Sequence, residues 1–233
     1  MKPARRRALG IAGAVVVVLA AFQVLRADVV PGRLHFWWNL GFGLVVVLVA
    51  LVAGLRTADL GLERRHAGSG LRWGLACWGL AVIGFGIVGL APWTRGVYHD
   101  HRATVSTGAL LWKVLVAIPL ATALMEELVF RGVIFGATAR ITTATRAAIV
   151  SALAFGFWHV QPTLGSLGAN AATDGARGIA QVGLVAGVVV AMTAAGLFLA
   201  WLRIRSRSLV APFLTHWGVN ATALVVAWLV ARG

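Results

Sequence analysis

The sequence predicts an all-α, polytopic membrane bundle of about seven spans, and three observations carry that expectation. Of the 233 residues 60% are hydrophobic and 12% charged, about half the charged share of a soluble domain. Several apolar runs reach or approach the roughly 20 residues that a helix needs to cross a bilayer. The Arg residues gather in the short breaks between those runs, rich and poor breaks alternating, as topology charges beside anionic lipid do. The net charge of +14 therefore reads as a membrane signal, and nucleic acid is not expected as a partner.

The spans follow in order. The first covers about 9–25, behind a basic start with Lys2, Arg5, Arg6 and Arg7. It resembles a signal sequence, but its apolar run is long and no Ala-x-Ala site stands behind it, so an uncleaved first helix is expected. The second covers about 36–55 and the third 71–91. The fourth runs from 108 towards 126, the fifth over 147–160, the sixth over 179–202 and the seventh over 209–230. The fifth is short and can borrow turns from the segment before it.

The connections test this count. Arg56, Arg64, Arg65 and Arg72 lie between spans two and three. Arg131, Arg140 and Arg146 follow span four, and Arg203, Arg205 and Arg207 separate spans six and seven. The other breaks are poorer: Arg26 and Arg33, then Arg95 and Arg102, then Arg177. That alternation puts the N-terminus inside and the C-terminus outside. No polar stretch is long enough for a separate soluble domain. Cys77 is the sole cysteine, which excludes an internal disulfide and a zinc site built on several thiolates.

Only seven residues are acidic. Asp28, Asp59, Glu63, Asp100 and Asp174 fall in connections, whereas Glu126 and Glu127 stand together inside the apolar run ALMEELVFRGVIF, 123–135. A charge at the centre of a spanning helix costs about 2.5–3.5 kcal/mol on insertion scales. The pair can simply mark the end of span four, but acids match poorly a flank that otherwise collects Arg. Helical spacing separates the two. Glu127 and Arg131 are four apart and share a face, so they can form an ion pair. Glu126 points about 100° away, has no local partner, and is the carboxylate suited to general-base work.

The histidines divide likewise. His35, His66, His99 and His101 lie in or beside connections and read as solvated loop residues. His159 ends the run SALAFGFWH, and His216 sits inside span seven. Phe155 precedes His159 by four residues, and Asn220 follows His216 by four, so each pair shares a helix face. An amide facing hydrocarbon would be expensive, which turns His216 and Asn220 towards the bundle interior. One carboxylate, two imidazoles and one carboxamide can thus converge. That is the inventory for adding water to an amide: a base, donors for the developing oxyanion and a low-dielectric enclosure. Glu plus two His is also a zinc ligand set, although no His-Glu-x-x-His segment is present.

Three motifs carry a resemblance. EELVFR (126–131), FGFWH (155–159) and HWGVN (216–220) resemble, in order, the Glu-Glu-x-x-x-Arg, Phe-x-x-x-His and His-x-x-x-Asn motifs of the CPBP family. These are the CAAX-processing and bacteriocin-processing intramembrane endopeptidases, also called Abi. The resemblance covers about 108–230. It divides the chain into N-terminal spans of generic character, 1–107, and a CAAX-protease-like catalytic core, 108–233. It implies an intramembrane endopeptidase in which Glu126, helped by His159, activates water, and His216 and Asn220 hold the oxyanion. Glu127, Arg131 and Phe155 are then supporting residues. Members are commonly labelled metalloproteases. The resemblance leaves open a divalent metal such as zinc, with Glu126, His159 and His216 as its ligands, or none. The expected partners are the lipid bilayer and a peptide or membrane-protein substrate. An Arg- and Ala-rich composition associates the chain with the cytoplasmic membrane of a bacterium. Two other classes stand beside this one. A membrane protein of the same fold can bind a peptide without cutting it, as an immunity or scaffolding factor. A buried Glu with His can relay protons in a transporter, though no internal repeat or paired broken helices point there.

Overall fold

The computed structural model describes residues 10–232 apart from 11–12, 15–16, 20, 24, 27–28, 91–97, 99–102, 170–172 and 174. Lys2, Arg5, Arg6, Arg7, Asp28, Arg95, His99, Asp100, His101, Arg102 and Asp174 lie outside the described residues. The protein is an all-α polytopic membrane protein. Its described helices are α1 (His35–Val52), the short α2 (Thr57–Leu60), α3 (Ala67–Leu90), α4 (Thr107–Ala139), α5 (Ala144–Trp158), α6 (Val160–Leu164), α7 (Ile179–Ser206) and α8 (Val210–Val230). Among the described residues six stretches are long and apolar enough to cross a bilayer: α1, the run from α2 through α3, α4, α5 with α6, α7 and α8. The expected first span, 9–25, is described in part, and its described residues are helical. Large aliphatic side chains on the outer faces, such as Leu48 on α1, Ile83 on α3 and Val190 on α7, are exposed, as a lipid solvent requires.

α4 is the axis of the bundle. α1, α5 and α8 all pack against it, α8 also lies along α3, and α7 along α5. The main core joins Leu19 and Phe22 near the N-terminus to Val46 and Ala50 of α1, to Met125, Val129, Phe130, Val133 and Ile134 of α4, and to Phe155 and Trp158 of α5. α4 begins at Ser106, whose hydroxyl accepts the Ala109 N–H (3.3 Å), and α5 begins at Thr143, capping Arg146 in the same way (3.3 Å); both are N-caps of ordinary type.

α4 departs from the expected span in length and winding. It continues through the glutamate pair to Ala139. Arg131, expected as a flanking charge, is therefore inside the helix and wholly buried. Arg203 likewise belongs to α7 and is buried. Two stretches of α4, Lys113–Leu124 and Leu128–Ile134, are π-wound, with the glutamates in a short α-helical turn between them. Pro119 lies inside the first and supplies no N–H to the ladder. Wide turns of this kind are associated with functional positions in helices.

The Arg-rich connections meet at one end of the bundle. Arg140, just past α4, pairs with Asp59 of α2 (2.5 Å) and donates to the Gly54 carbonyl (2.8 Å). Arg203 donates to the Asp59 carbonyl (3.2 Å), and the Leu209 N–H to that of Gly61 (2.9 Å). At the other end Tyr98, Ala103 and Ala227 cluster, and Trp228 and Arg232 both donate to the Val105 carbonyl (3.0 and 3.2 Å). His35 is not a solvated loop residue: its Nε2 lies 2.9 Å from the Val30 carbonyl and 3.1 Å from that of Arg26, tying the start of α1 to the preceding turn.

α5 and α7 touch backbone to backbone. A Cβ on Gly156 would meet the Thr193 side chain and come within 2.8 Å of the Val189 carbonyl oxygen, both on α7. One on Gly196 would sit 3.0 Å from the Cα of Ala152. Close approach through small residues is how helices associate in lipid. Gly156→Val is expected to push α5 off α7 and lower stability by about 1–3 kcal/mol, the usual range for overpacking. Thermal unfolding of the purified protein in detergent, with wild type alongside, reads that loss; an unchanged transition would mean the contact is looser than described.

Candidate active site

The middle of α4 carries Glu126, Glu127 and Arg131, all buried. Glu127 and Arg131 form the ion pair their spacing predicts: Nη1 of Arg131 donates to Oε1 of Glu127 at 2.9 Å, with both side chains fully out of solvent. Arg131 is held on two further sides. Its Nη2 donates to the Gly196 carbonyl (3.3 Å), and its guanidinium lies 4.1 Å from the centre of the Phe155 ring, a cation–π distance.

His216 of α8 stands between the two carboxylates. Its Nδ1 is 2.8 Å from the same Oε1 of Glu127, and its Nε2 is 3.8 Å from Oε2 of Glu126. An ionised carboxylate only accepts, so Nδ1 carries a proton and donates it to Glu127. The ring is thereby oriented, and Nε2 is the atom presented to Glu126. Glu126 uses its oxygens differently. Oε1 accepts the indole N–H of Trp158 at 3.0 Å. Oε2 is buried and has no hydrogen-bond partner among the described residues. Arg26, half-buried, lies within electrostatic reach of Glu126.

His159 directly follows the last residue of α5. Its Nδ1 donates to the Phe155 carbonyl (2.7 Å), and Nε2 has no hydrogen bond among the described residues. No hydrogen bond or ion pair joins His159 to Glu126; the imidazole in direct reach of that carboxylate is His216. Phe155 connects the parts. Its ring centre lies 4.6 Å from that of His159 and 5.9 Å from that of His216, so it stands against both imidazoles and under Arg131. Asn220, one turn beyond His216, lines a cavity of about 1220 Å³ between α3, α4 and α8, together with Lys113, Thr122 and Arg26.

Sequence reasoning missed Trp158. It lies three residues after Phe155, and an indole N–H buried in a membrane bundle needs an acceptor; that was the available signal. It also missed Gln23, whose side-chain amide donates to the Trp158 carbonyl (3.0 Å), and Phe22, whose ring lies nearly parallel to the indole at 5.7 Å. Neither residue belongs to a motif.

The metal question turns on donor geometry. Among the described residues no group of three or more His, Cys, Asp or Glu is placed to hold a metal ion. Glu126, His159 and His216 do not form such a group, while Nδ1–H of each histidine is given to a protein oxygen and leaves Nε2 as the nitrogen open to a ligand or a water.

Residues 108–222 match the family described as type II CAAX prenyl endopeptidase Rce1-like. That match spans just under half of the chain, which over this part has an Rce1-like, CPBP-superfamily protease fold. Comparison with curated proteins and with solved structures gives no match.

Proposed function

We propose that the protein is an intramembrane endopeptidase in which Glu126 activates the attacking water. The observation that carries this reading is the asymmetric setting of Glu126. One oxygen is tied to Trp158, and the other is buried, unpartnered and 3.8 Å from an imidazole nitrogen. A buried acceptor normally has a partner, and a water donating to Oε2 supplies one.

In this mechanism Oε2 of Glu126 takes a proton from the water as its oxygen attacks the peptide carbonyl carbon. Nε2 of His159, a lone-pair acceptor once Nδ1–H is given to the Phe155 carbonyl, holds the other water proton. The carbonyl oxygen gains the electron pair. The Asn220 amide donates to it, as does Nε2 of His216 when that nitrogen carries a proton, with Nδ1–H kept on Glu127. Glu126 then passes its proton to the amide nitrogen as the C–N bond breaks and the oxyanion's electron pair re-forms the carbonyl; the remaining water proton goes from the new acid to Nε2 of His159, leaving a carboxylate and an amine. The low-dielectric enclosure strengthens each of these contacts. Each of these steps is written for side chains of the proposed catalytic core, 108–233.

The test is cleavage of peptides and membrane proteins by purified protein, with new termini identified by mass spectrometry and Glu126→Gln as the paired control. A second reading is favoured by the missing direct contact between His159 and Glu126: a peptide-binding immunity or scaffolding protein without turnover. Peptides retained but uncut by folded wild type would select it.

The Arg bias supports a reading with the Arg-rich end on the cytoplasmic side, the N-terminus inside and the C-terminus outside a bacterial cytoplasmic membrane. A phosphatase fused after Gly233 is expected to be active and a fluorescent protein there dark. The reverse would remove one span from the count.

A further inference from the structure

Resting on the base role of Glu126, we infer that Trp158 is a positioning residue for that carboxylate, and that the segment ahead of α1 holds Trp158 in place. A lone carboxylate on a helix can rotate about its terminal bond and exchange its two oxygens. Here the indole N–H fixes one of them at 3.0 Å, so Oε2 is the oxygen left to face His216. The indole is itself clamped. Phe22 lies on its face, the Phe130 ring meets it edge-on at 5.8 Å, and Gln23 donates to its backbone carbonyl. That carbonyl is at the end of α5, and the residue four further on is Pro162, which has no N–H to give it. Gln23 is buried, and an amide there is retained only by a hydrogen bond. Phe22 and Gln23 lie outside the 108–222 match, so the site of this chain extends beyond its family-like core.

Two readouts separate orientation from function. The first needs no substrate: the carboxylate stretching band of Glu126, assigned by its loss in Glu126→Gln. Replacing Trp158 by Phe, or site-specifically by benzothienylalanine, removes the N–H while keeping an aromatic ring. The benzothienyl analogue keeps the shape and guards against a Phe variant that fails to fold. Both are expected to shift the band, and Gln23→Leu to shift it in the same sense but less. The second readout uses the peptide found in the cleavage screen. Loss of the donor is expected to lower kcat on the order of 10- to 100-fold with KM little changed, the size of a slight misplacement of a reacting group. A band that stays put in the folded analogue, or a kcat that stays put while the band moves, overturns the positioning role. Absence of hydrolysis by wild type sinks the peptidase reading, and the band alone then decides whether Trp158 orients Glu126.

Discussion

Glu126→Gln is expected to leave a folded membrane protein and to cut peptide hydrolysis by at least 10²–10⁴-fold, the usual contribution of a general base. Gln preserves the side-chain volume, and its carbonyl oxygen can still accept the Trp158 N–H, so the packing around Met125, Phe130 and Trp158 is retained. What disappears is the charge facing Nε2 of His216 and the lone pair able to take a proton from water. The proposed steps call on side chains alone, and on that reading chelation of wild type is expected to leave activity unchanged. Activity lost on chelation and restored by a divalent ion would instead move Glu126, His159 and His216 into the role of ligands. Undiminished hydrolysis by well-folded Glu126→Gln protein would end the mechanism.

The neighbouring glutamate is expected to behave in the opposite way. Glu127→Gln should fail in folding before it fails in chemistry. Among the described residues that carboxylate is the only anion within ion-pair distance of Arg131, and the same oxygen holds His216. Removing one partner of a buried pair typically lowers stability by about 3–5 kcal/mol, because the remaining charge is uncompensated. The cation–π contact with Phe155 and the Gly196 carbonyl soften the loss without replacing the anion. Folded yield and thermal stability in detergent should fall together, and specific activity per folded molecule should fall less than in Glu126→Gln. The double change Glu127→Gln with Arg131→Met removes the stranded cation and should recover part of the loss; a double-mutant cycle reads the coupling. A Glu127→Gln protein as stable as wild type would mean that the pair carries no net stabilisation.

Much of the fold was legible because membrane insertion writes its rules along the chain. A span needs a run of apolar residues of bilayer length, and the ends of α3, α7 and α8 fall within a few residues of the expected ones. α4 was underestimated because a charge normally ends a span; Glu127 and Arg131 compensate each other, so the helix carries both inside. The i,i+4 rule anticipated that pair, since both residues sit on one element and their distance is a local property. Phe155 beside His159 was local in the same sense.

What the sequence by itself determined is therefore an all-α membrane bundle and the separation of Glu127 from Glu126; it also singled out the residues proposed for the site, on three segments. Which imidazole meets which carboxylate was decided only by the tertiary structure. That depends on how α5 and α8 are rotated and seated against α4, and no period in the sequence encodes it. Close contact at Gly156 and Gly196 seats α5 on α7, contact at Gly74 and Gly218 seats α8 on α3, and the π-wound turns on either side of the glutamates shift α4 away from a 3.6-residue register. As a result His216, and not His159, lies in direct reach of Glu126. The hold on Glu126 is also non-local. Trp158 is 32 residues away, and Gln23 is 135 residues from Trp158. Hydrogen bonds over such separations form only once the helices have packed, when a buried donor must take the acceptor that packing brings to it.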